Sequence, residues 1–109
     1  MVFLKNPKVI NWTAHSHAKM RYYGLSESRV KRVLNFPKRI EEGIAPKTVA
    51  MMQLAGSKKH PYEIWVMIQD SPSKRKIISA WRYPGITKAG EPLPEAVLKE
   101  IRGSLNYAD

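Results

Sequence analysis

Apolar residues recur at every fourth position over residues 14–23, which is typical of one side of a helix. The stripe consists of Ala14, Ala18 and Tyr22. Thr13 precedes the segment, and its hydroxyl suits a helix N-cap. Gly24 follows it, and glycine is the residue most often found in the left-handed conformation after a last helical turn. The pattern predicts a helix over residues 14–23 with this stripe buried.

A second helix is predicted to begin after Ser26 and to end before Pro37. Ser26 suits the N-cap, and Leu25 is placed to pack on Val30 as a hydrophobic staple. The apolar face of this helix consists of Val30, Val33 and Leu34.

The composition changes after Pro37, where four runs of strand length are separated by short segments rich in turn-forming residues. The runs are Arg39–Ile44, Thr48–Ala55, Tyr62–Gln69 and Lys76–Tyr83. Because the separators are too short for helical crossovers, the runs are predicted to pair as antiparallel hairpins. The third run is apolar on both faces beyond Glu63, which favours a central strand.

A final helix is predicted after Pro94, since proline suits a first helical position and apolar residues then recur at helical spacing. Its apolar face consists of Val97, Leu98, Ile101 and Leu105. The chain is therefore predicted to form one α+β domain over residues 1–109. That domain has two N-terminal helices, a four-stranded antiparallel sheet and one C-terminal helix, with the helices on one sheet face.

The net charge of +10 is concentrated in two segments. Residues 1–39 hold nine Lys or Arg against one acid, a net charge of +8, and residues 74–83 hold four against none. Such clustering is typical of a surface that binds a polyanion such as RNA, or an acidic protein. A solvated face without a partner is the alternative interpretation.

The composition excludes several classes of protein. Cysteine is absent, so disulfides and thiolate chemistry are excluded. No apolar run approaches the roughly 20 residues that span a bilayer, so no membrane association is predicted. The segment Met1–Pro7 is too short for a signal peptide, and we expect a cytoplasmic protein.

His15 and Lys19 are four positions apart and are expected on one side of the first helix. An imidazole that moves a proton, beside an ammonium that stabilises phosphorane charge, suits phosphodiester cleavage. An exposed polar pair on a solvated helix is the alternative. His17 does not join His15 as a metal ligand on a helix, because residues i and i+2 point apart, so we predict no metal and no cofactor.

Arg82 follows a mostly apolar run near the end of the last predicted strand. An arginine there is either paired within the fold or presented to a phosphate. Further basic residues are candidates for contacts with nucleic-acid phosphates. They are Arg21, Arg29, Arg32, Lys58, Lys59, His60, Lys74, Arg75 and Lys76. Aromatic side chains could stack on unpaired bases, although in a domain this small most of them are expected in the core. They are Trp12, Trp65, Trp81, Tyr22, Tyr23, Tyr62 and Tyr83.

A motif over residues 15–37 combines a leading histidine, a basic residue followed by methionine, a Gly-Leu-Ser turn, and apolar positions that end in proline. Its residues are His15, Lys19, Met20, Gly24, Leu25, Ser26, Val30, Val33, Leu34 and Pro37. Together with the closing run Ile77–Arg82, it resembles a small bacterial and archaeal domain family. That family is similar to RelE-like toxins of the barnase–EndoU–colicin–RelE superfamily of metal-independent ribonucleases. The resemblance covers about residues 12–83 and leaves residues 84–109 outside it.

The resemblance implies a RelE-like fold and an endoribonuclease with His15, Lys19 and Arg82 as catalytic residues. It implies RNA as the substrate and an acidic antitoxin protein as a partner. Tyr23 stands where the family usually has an arginine before the glycine, so one expected cation is replaced by a ring. The alternative on the same scaffold is a module that binds RNA or a protein without catalysis.

Overall fold

The computed structural model describes residues 9–42 and 47–107. Over these residues it contains five strands, three helices and a closing 3₁₀ segment. In chain order they are β1 (Val9–Trp12), α1 (Ala14–Tyr23), α2 (Glu27–Asn35), β2 (Arg39–Glu42), β3 (Thr48–Gly56), β4 (Pro61–Asp70), β5 (Lys74–Tyr83), α3 (Glu95–Ser104) and the 3₁₀ segment (Leu105–Tyr107). None of the helices within these residues is long and apolar enough to span a bilayer.

The strands form one mixed sheet in the order β1-β5-β4-β3-β2. β2 to β5 pair as antiparallel neighbours, whereas β1 runs parallel to β5, with Val9 beside Lys74 and Trp12 beside Ile77. The prediction of four antiparallel strands is therefore wrong, because the sheet has a fifth strand. β1 has only four residues and pairs with residues 65 positions further along the chain (Val9 to Lys74), so no hairpin turn or long alternation marks it.

The predicted run Arg39–Ile44 is observed as Arg39–Glu42. Its last two residues lie outside the described residues. So do Ala45-Pro46, which separate this run from the next, and the segment Met1–Pro7.

Both predicted N-caps are confirmed. Thr13 Oγ1 accepts a hydrogen bond from the Ser16 amide at 3.0 Å, and Ser26 Oγ accepts one from the Arg29 amide at 3.1 Å. Gly24 has a φ of 68°, a left-handed conformation that glycine adopts without steric cost. The chain can therefore turn directly from α1 towards α2.

The buried side of α1 differs from the predicted stripe. Tyr22 is 79% exposed and the two alanines of the stripe are also exposed, whereas Ser16 and Met20 are buried. Ser16 is compatible with burial because its hydroxyl donates to the Thr13 carbonyl at 2.7 Å. Alanine contributes little apolar area, so the packing of Met20, rather than the stripe, orients the helix.

Helices cover both faces of the sheet. On one face the core includes Ile64, Val66 and Ile68 of β4 together with Val30, Val33 and Leu34 of α2 and Met20 of α1. On the other it includes Trp65 and Met67 of β4 together with Val97 and Ile101 of α3. Successive residues of a strand point to opposite faces, and β4 is buried on both. The prediction that all helices lie on one face is therefore wrong, since both apolar faces need a cover.

Candidate functional site

One line of side chains on α1 faces the C-terminal elements. His15, Lys19 and Tyr23 follow each other at intervals of four and project from one side of the helix. Lys19 Nζ lies 2.8 Å from Glu100 Oε1, and the Tyr23 hydroxyl donates to Glu100 Oε2 at 2.6 Å. The ring of His15 stacks on Tyr107, with centroids 3.9 Å apart. We call these five residues the His15 cluster.

The environment of the cluster keeps His15 neutral at pH 7. Burial lowers the pKa of His15, the neighbouring Lys19 ammonium lowers it further, and Glu100 acts in the opposite direction. Burial, followed by the hydrogen bond to Glu100, raises the pKa of Tyr23 far above its ordinary value. A neutral imidazole is a proton acceptor, and here it stands beside a cation.

Arg82 is paired within the fold, which is the first of the two alternatives for this residue. Its Nε donates to the Tyr23 carbonyl at 2.7 Å and its Nη2 to the Gly24 carbonyl at 3.4 Å. The guanidinium carbon also lies 4.8 Å from the centroid of the Tyr62 ring. Arg82 therefore joins the sheet to the end of α1, where a cation is favourable to the helix dipole.

The three residues that the family resemblance implies as catalytic are not all in contact with one another. His15 and Lys19 lie one helical turn apart and interact electrostatically. Arg82 binds the carbonyl of Tyr23, which is eight residues beyond His15, or about 12 Å along the helix axis. The structure thus joins two of the three and places the third at the other end of α1.

A second group of side chains lies at the junction of α2 and the sheet. Arg29 lies in the first turn of α2, Arg32 in its last turn and Phe36 at its C-cap, and their spacing of three and four positions places them on one side. Arg82 of β5 lies opposite Ile64 of β4, and its guanidinium reaches the ring of Tyr62, two residues before Ile64 at the same end of the sheet. We call these five residues the arginine–aromatic surface.

Electrostatic interactions connect Arg29 with Arg32, Tyr62 and Arg82. Burial lowers the pKa of Arg29, and the charges of Arg32 and Arg82 lower it further, while Tyr62 acts in the opposite direction. Arg29 Nη1 also donates to the side-chain oxygen of Gln53. Within the part of the chain that the structure describes, none of the three arginines forms an ion pair with a carboxylate. Their positive charge therefore remains available to an external anion.

Phe36 is the most exposed large apolar ring on this surface, at 69% of its area. Its carbonyl accepts a hydrogen bond from Gln53 Nε2 at 3.2 Å, which fixes the backbone that carries the ring. An exposed phenylalanine beside arginines is the arrangement on which unpaired bases stack.

The other predicted basic residues lie at the two ends of the sheet, except Arg21, which lies on α1. Lys58, Lys59 and His60 are exposed in the β3–β4 turn, at the end of the sheet where Tyr62 lies. Lys74 is exposed at the opposite end, and Arg75 there donates two 2.9 Å hydrogen bonds to Asp70, which raise its pKa. Lys76 is half-buried at that same end, and Arg21 is exposed in the last turn of α1.

Sequence reasoning missed four residues that these two groups contain or contact. They are Phe36, Gln53, Glu100 and Tyr107. The sequence could have indicated Phe36, because it follows Arg29 and Arg32 at helical spacing just before the proline that ends the helix. Glu100 and Tyr107 carried none, since their partners on α1 are more than 75 residues away in sequence.

No cluster of three or more metal-ligating side chains occurs within residues 9–42 and 47–107. Comparison of the chain with protein-family models, curated proteins and solved structures gives no match.

Proposed function

We propose that this domain binds single-stranded RNA on the arginine–aromatic surface. The observation that carries the proposal is that Arg29, Arg32 and Arg82 have no carboxylate partner among the described residues and belong to the surface that presents the rings of Phe36 and Tyr62. Guanidinium groups bind phosphates, and accessible rings stack on unpaired bases, so the two kinds of side chain together suit a single strand.

The members of this surface have different roles in the proposal. Arg32 is exposed and Arg29 is half-buried with one nitrogen bonded to Gln53, so these two contact phosphates. Arg82 is held by the carbonyls of Tyr23 and Gly24, so it contributes charge and orients the Tyr62 ring. Lys58 and Lys59, in the turn at the same end of the sheet, extend the positive field along the strand.

Binding of a fluorescent oligouridylate, measured by anisotropy over a range of salt concentrations, tests the proposal. We expect Arg32→Ala to reduce the slope of log K against log salt by about 1. We expect Phe36→Ala to weaken binding by about tenfold, because a stacking platform is lost.

Two substitutions on other surfaces serve as matched controls. Lys99→Ala removes an exposed cation from α3, and Val9→Ala truncates an exposed apolar side chain on β1. Both should bind as the unaltered chain does. Equal losses in the controls and in the two variants, or equal affinity for duplex RNA, would contradict the assignment of this surface.

A second candidate function is metal-independent cleavage of RNA at the His15 cluster, as the toxin of a pair whose antitoxin is acidic. The lowered pKa of His15 beside Lys19 favours it, because a neutral imidazole can take the proton of a ribose 2′-hydroxyl. That oxygen then bonds to the adjacent phosphorus, the bond to the 5′-oxygen breaks, and the leaving oxygen takes a proton from water, while the protonated His15 returns its proton to solvent. Lys19 stabilises the phosphorane charge. The resemblance implies the same role for Arg82, which here is held at the other end of α1.

Incubation of the purified chain with mixed RNA, with and without a chelator, tests this second candidate. We expect cleavage that is insensitive to chelator and that falls about 100-fold or more in His15→Ala. Binding without cleavage at any pH would contradict the enzyme and leave the RNA-binding proposal standing.

A further inference from the structure

The sheet has an open edge along the last residues of β3. β2 pairs with β3 only over Val49–Met52, and β3 continues to Gly56. Successive residues of a strand direct their backbone groups to opposite sides. Met52 accepts a hydrogen bond from the Lys38 amide on the outer side, so Leu54 also directs its N–H and C=O outwards.

The same alternation places the N–H and C=O of Gly56 on the open side. Ser57, the next residue, donates its amide to His60 across the β3–β4 turn, which is the inner side. Among the described residues, none forms a backbone hydrogen bond with the outward groups of Leu54 and Gly56. Unpaired groups in this arrangement form a template for another strand.

The β3–β4 turn requires glycine at position 56. Its φ is 82°, and a Cβ on it would lie 2.3 Å from the His60 carbonyl oxygen. Only glycine therefore fits at this position, and the end of the open edge is bare backbone.

An apolar cavity of about 420 Å³ lies along the edge. Leu54, Gly56, Pro61 and Ile86 line it, and Lys58 lies at its rim. Leu54 is 37% exposed and Ile86 is 54% exposed. The cavity thus offers apolar contact to the side chains of a strand that pairs with the edge.

The charged side chains of the β3–β4 turn have one sign. Lys58 and Lys59 are exposed, and no acid occurs between Gln53 and Tyr62. The next acid, Glu63, is fully buried and accepts hydrogen bonds from Trp65 and Thr87, so it presents no surface charge.

We propose that the open edge of β3 binds an extended acidic segment of another protein as an added strand. Its backbone would pair with Leu54 and Gly56, its apolar side chains would pack on Leu54 and Ile86, and its carboxylates would lie beside Lys58 and Lys59. A peptide suits this site better than a nucleic acid, because the edge offers alternating backbone donors and acceptors above an apolar cavity. The proposal shares Lys58 and Lys59 with the RNA-binding proposal and otherwise uses different residues, Leu54, Gly56 and Ile86.

The test is an NMR titration of the whole chain, labelled with nitrogen-15, with a capped heptapeptide of alternating glutamate and valine. We expect the amide signals of Leu54 and Gly56 to shift on titration. A peptide with proline in place of the central valine has the same charge but cannot pair along its length, and it should leave these signals unchanged.

Two variants locate the interaction. Lys58→Glu combined with Lys59→Glu should weaken peptide binding by about tenfold. Lys31→Glu combined with Lys99→Glu makes the same change in net charge at exposed helical positions, and its affinity should stay within about twofold of the unaltered chain. Ile86→Glu, in an exposed loop, should also weaken binding, because it places a carboxylate at the cavity.

Three outcomes would overturn the proposal. They are equal binding of the proline peptide, equal losses in the two double variants, and a larger shift of the Leu54 amide signal with oligouridylate than with the peptide. The first two would indicate adhesion by net charge alone, and the third would assign the edge to nucleic acid.

Discussion

The imidazole of His15 lies flat against the phenol ring of Tyr107, with the planes 7° apart. This contact joins α1 to the 3₁₀ segment and contributes to the burial that is the largest cause of the lowered pKa of His15. The C-terminal residues therefore affect the protonation of a side chain near the beginning of the described chain.

Tyr107→Ala is expected to raise the pKa of His15 towards its ordinary value of 6.5, because the imidazole gains solvent. An NMR titration of the histidine ring protons measures this directly. Tyr107→Phe keeps the ring and should keep the lowered value. An unchanged pKa in Tyr107→Ala would show that other residues bury His15.

The lowered pKa of His15 also predicts how the stability of the domain depends on pH. Because the folded state disfavours the charged imidazole, the unfolded state binds a proton first as the pH falls below about 6.5. The free energy of unfolding should therefore decrease from there down to the folded pKa. Urea denaturation at several pH values measures the decrease.

The variant His15→Gln should show a smaller decrease on acidification, since it carries no titrating ring. His60→Gln, in an exposed turn, is the matched histidine control and should behave as the unaltered chain does. Identical pH profiles for His15→Gln and the unaltered chain would contradict the prediction.

Glu100→Gln is expected to lower the free energy of unfolding by about 1 kcal/mol. The amide of the new side chain can still accept a hydrogen bond from Tyr23, but the ion pair with Lys19 is lost. The side chains of Lys19 and Glu100 are both mostly shielded from solvent. The pKa of His15 should fall further, because the carboxylate that raises it is gone.

Glu95→Gln provides the control for Glu100→Gln. It removes an ion pair with Arg102 on the same helix, but the Glu95 side chain is 74% exposed. The loss there should stay below about 0.5 kcal/mol in the same denaturation experiment. Equal losses at the two positions would mean that the His15 cluster adds nothing beyond an ordinary surface pair.

Gly24→Ala is expected to destabilise the domain by about 1–2 kcal/mol, because the φ of 68° places an L-residue in the left-handed region. Space is not the cause, since the nearest atom to an added Cβ is Arg82 Nη2 at 3.9 Å. Gly103→Ala, inside α3 and in open space, should instead stabilise it by up to about 1 kcal/mol. Thermal unfolding of both variants tests the opposite signs.

Features that depend on a few neighbouring residues were predictable from the sequence. The caps at Thr13 and Ser26 and the turn at Gly24 are local, because donor and acceptor lie within three residues of each other. The antiparallel pairing of β2 to β5 was predictable too, since the separators leave no room for crossovers.

Features that depend on distant partners were not predictable. The pairing of β1 and the contacts of Glu100 and Tyr107 join residues more than 60 positions apart. The packing of α3 on the second sheet face depends on the whole fold. The sequence identified His15, Lys19 and Arg82 as candidate site residues from their chemistry. Only the fold shows that the first two share a cluster and that Arg82 binds backbone carbonyls.

The parallel pairing of β1 with β5 has a consequence for folding during synthesis. Val9 leaves the ribosome 65 residues before its partner Lys74, which corresponds to about 3–13 s of translation at roughly 5–20 residues per second. During that interval β1 lacks its only described sheet neighbour, while α1 lacks the strand on which it packs. The antiparallel hairpins can form as they emerge, so β1 is made before β2 to β4 and joins the sheet after them.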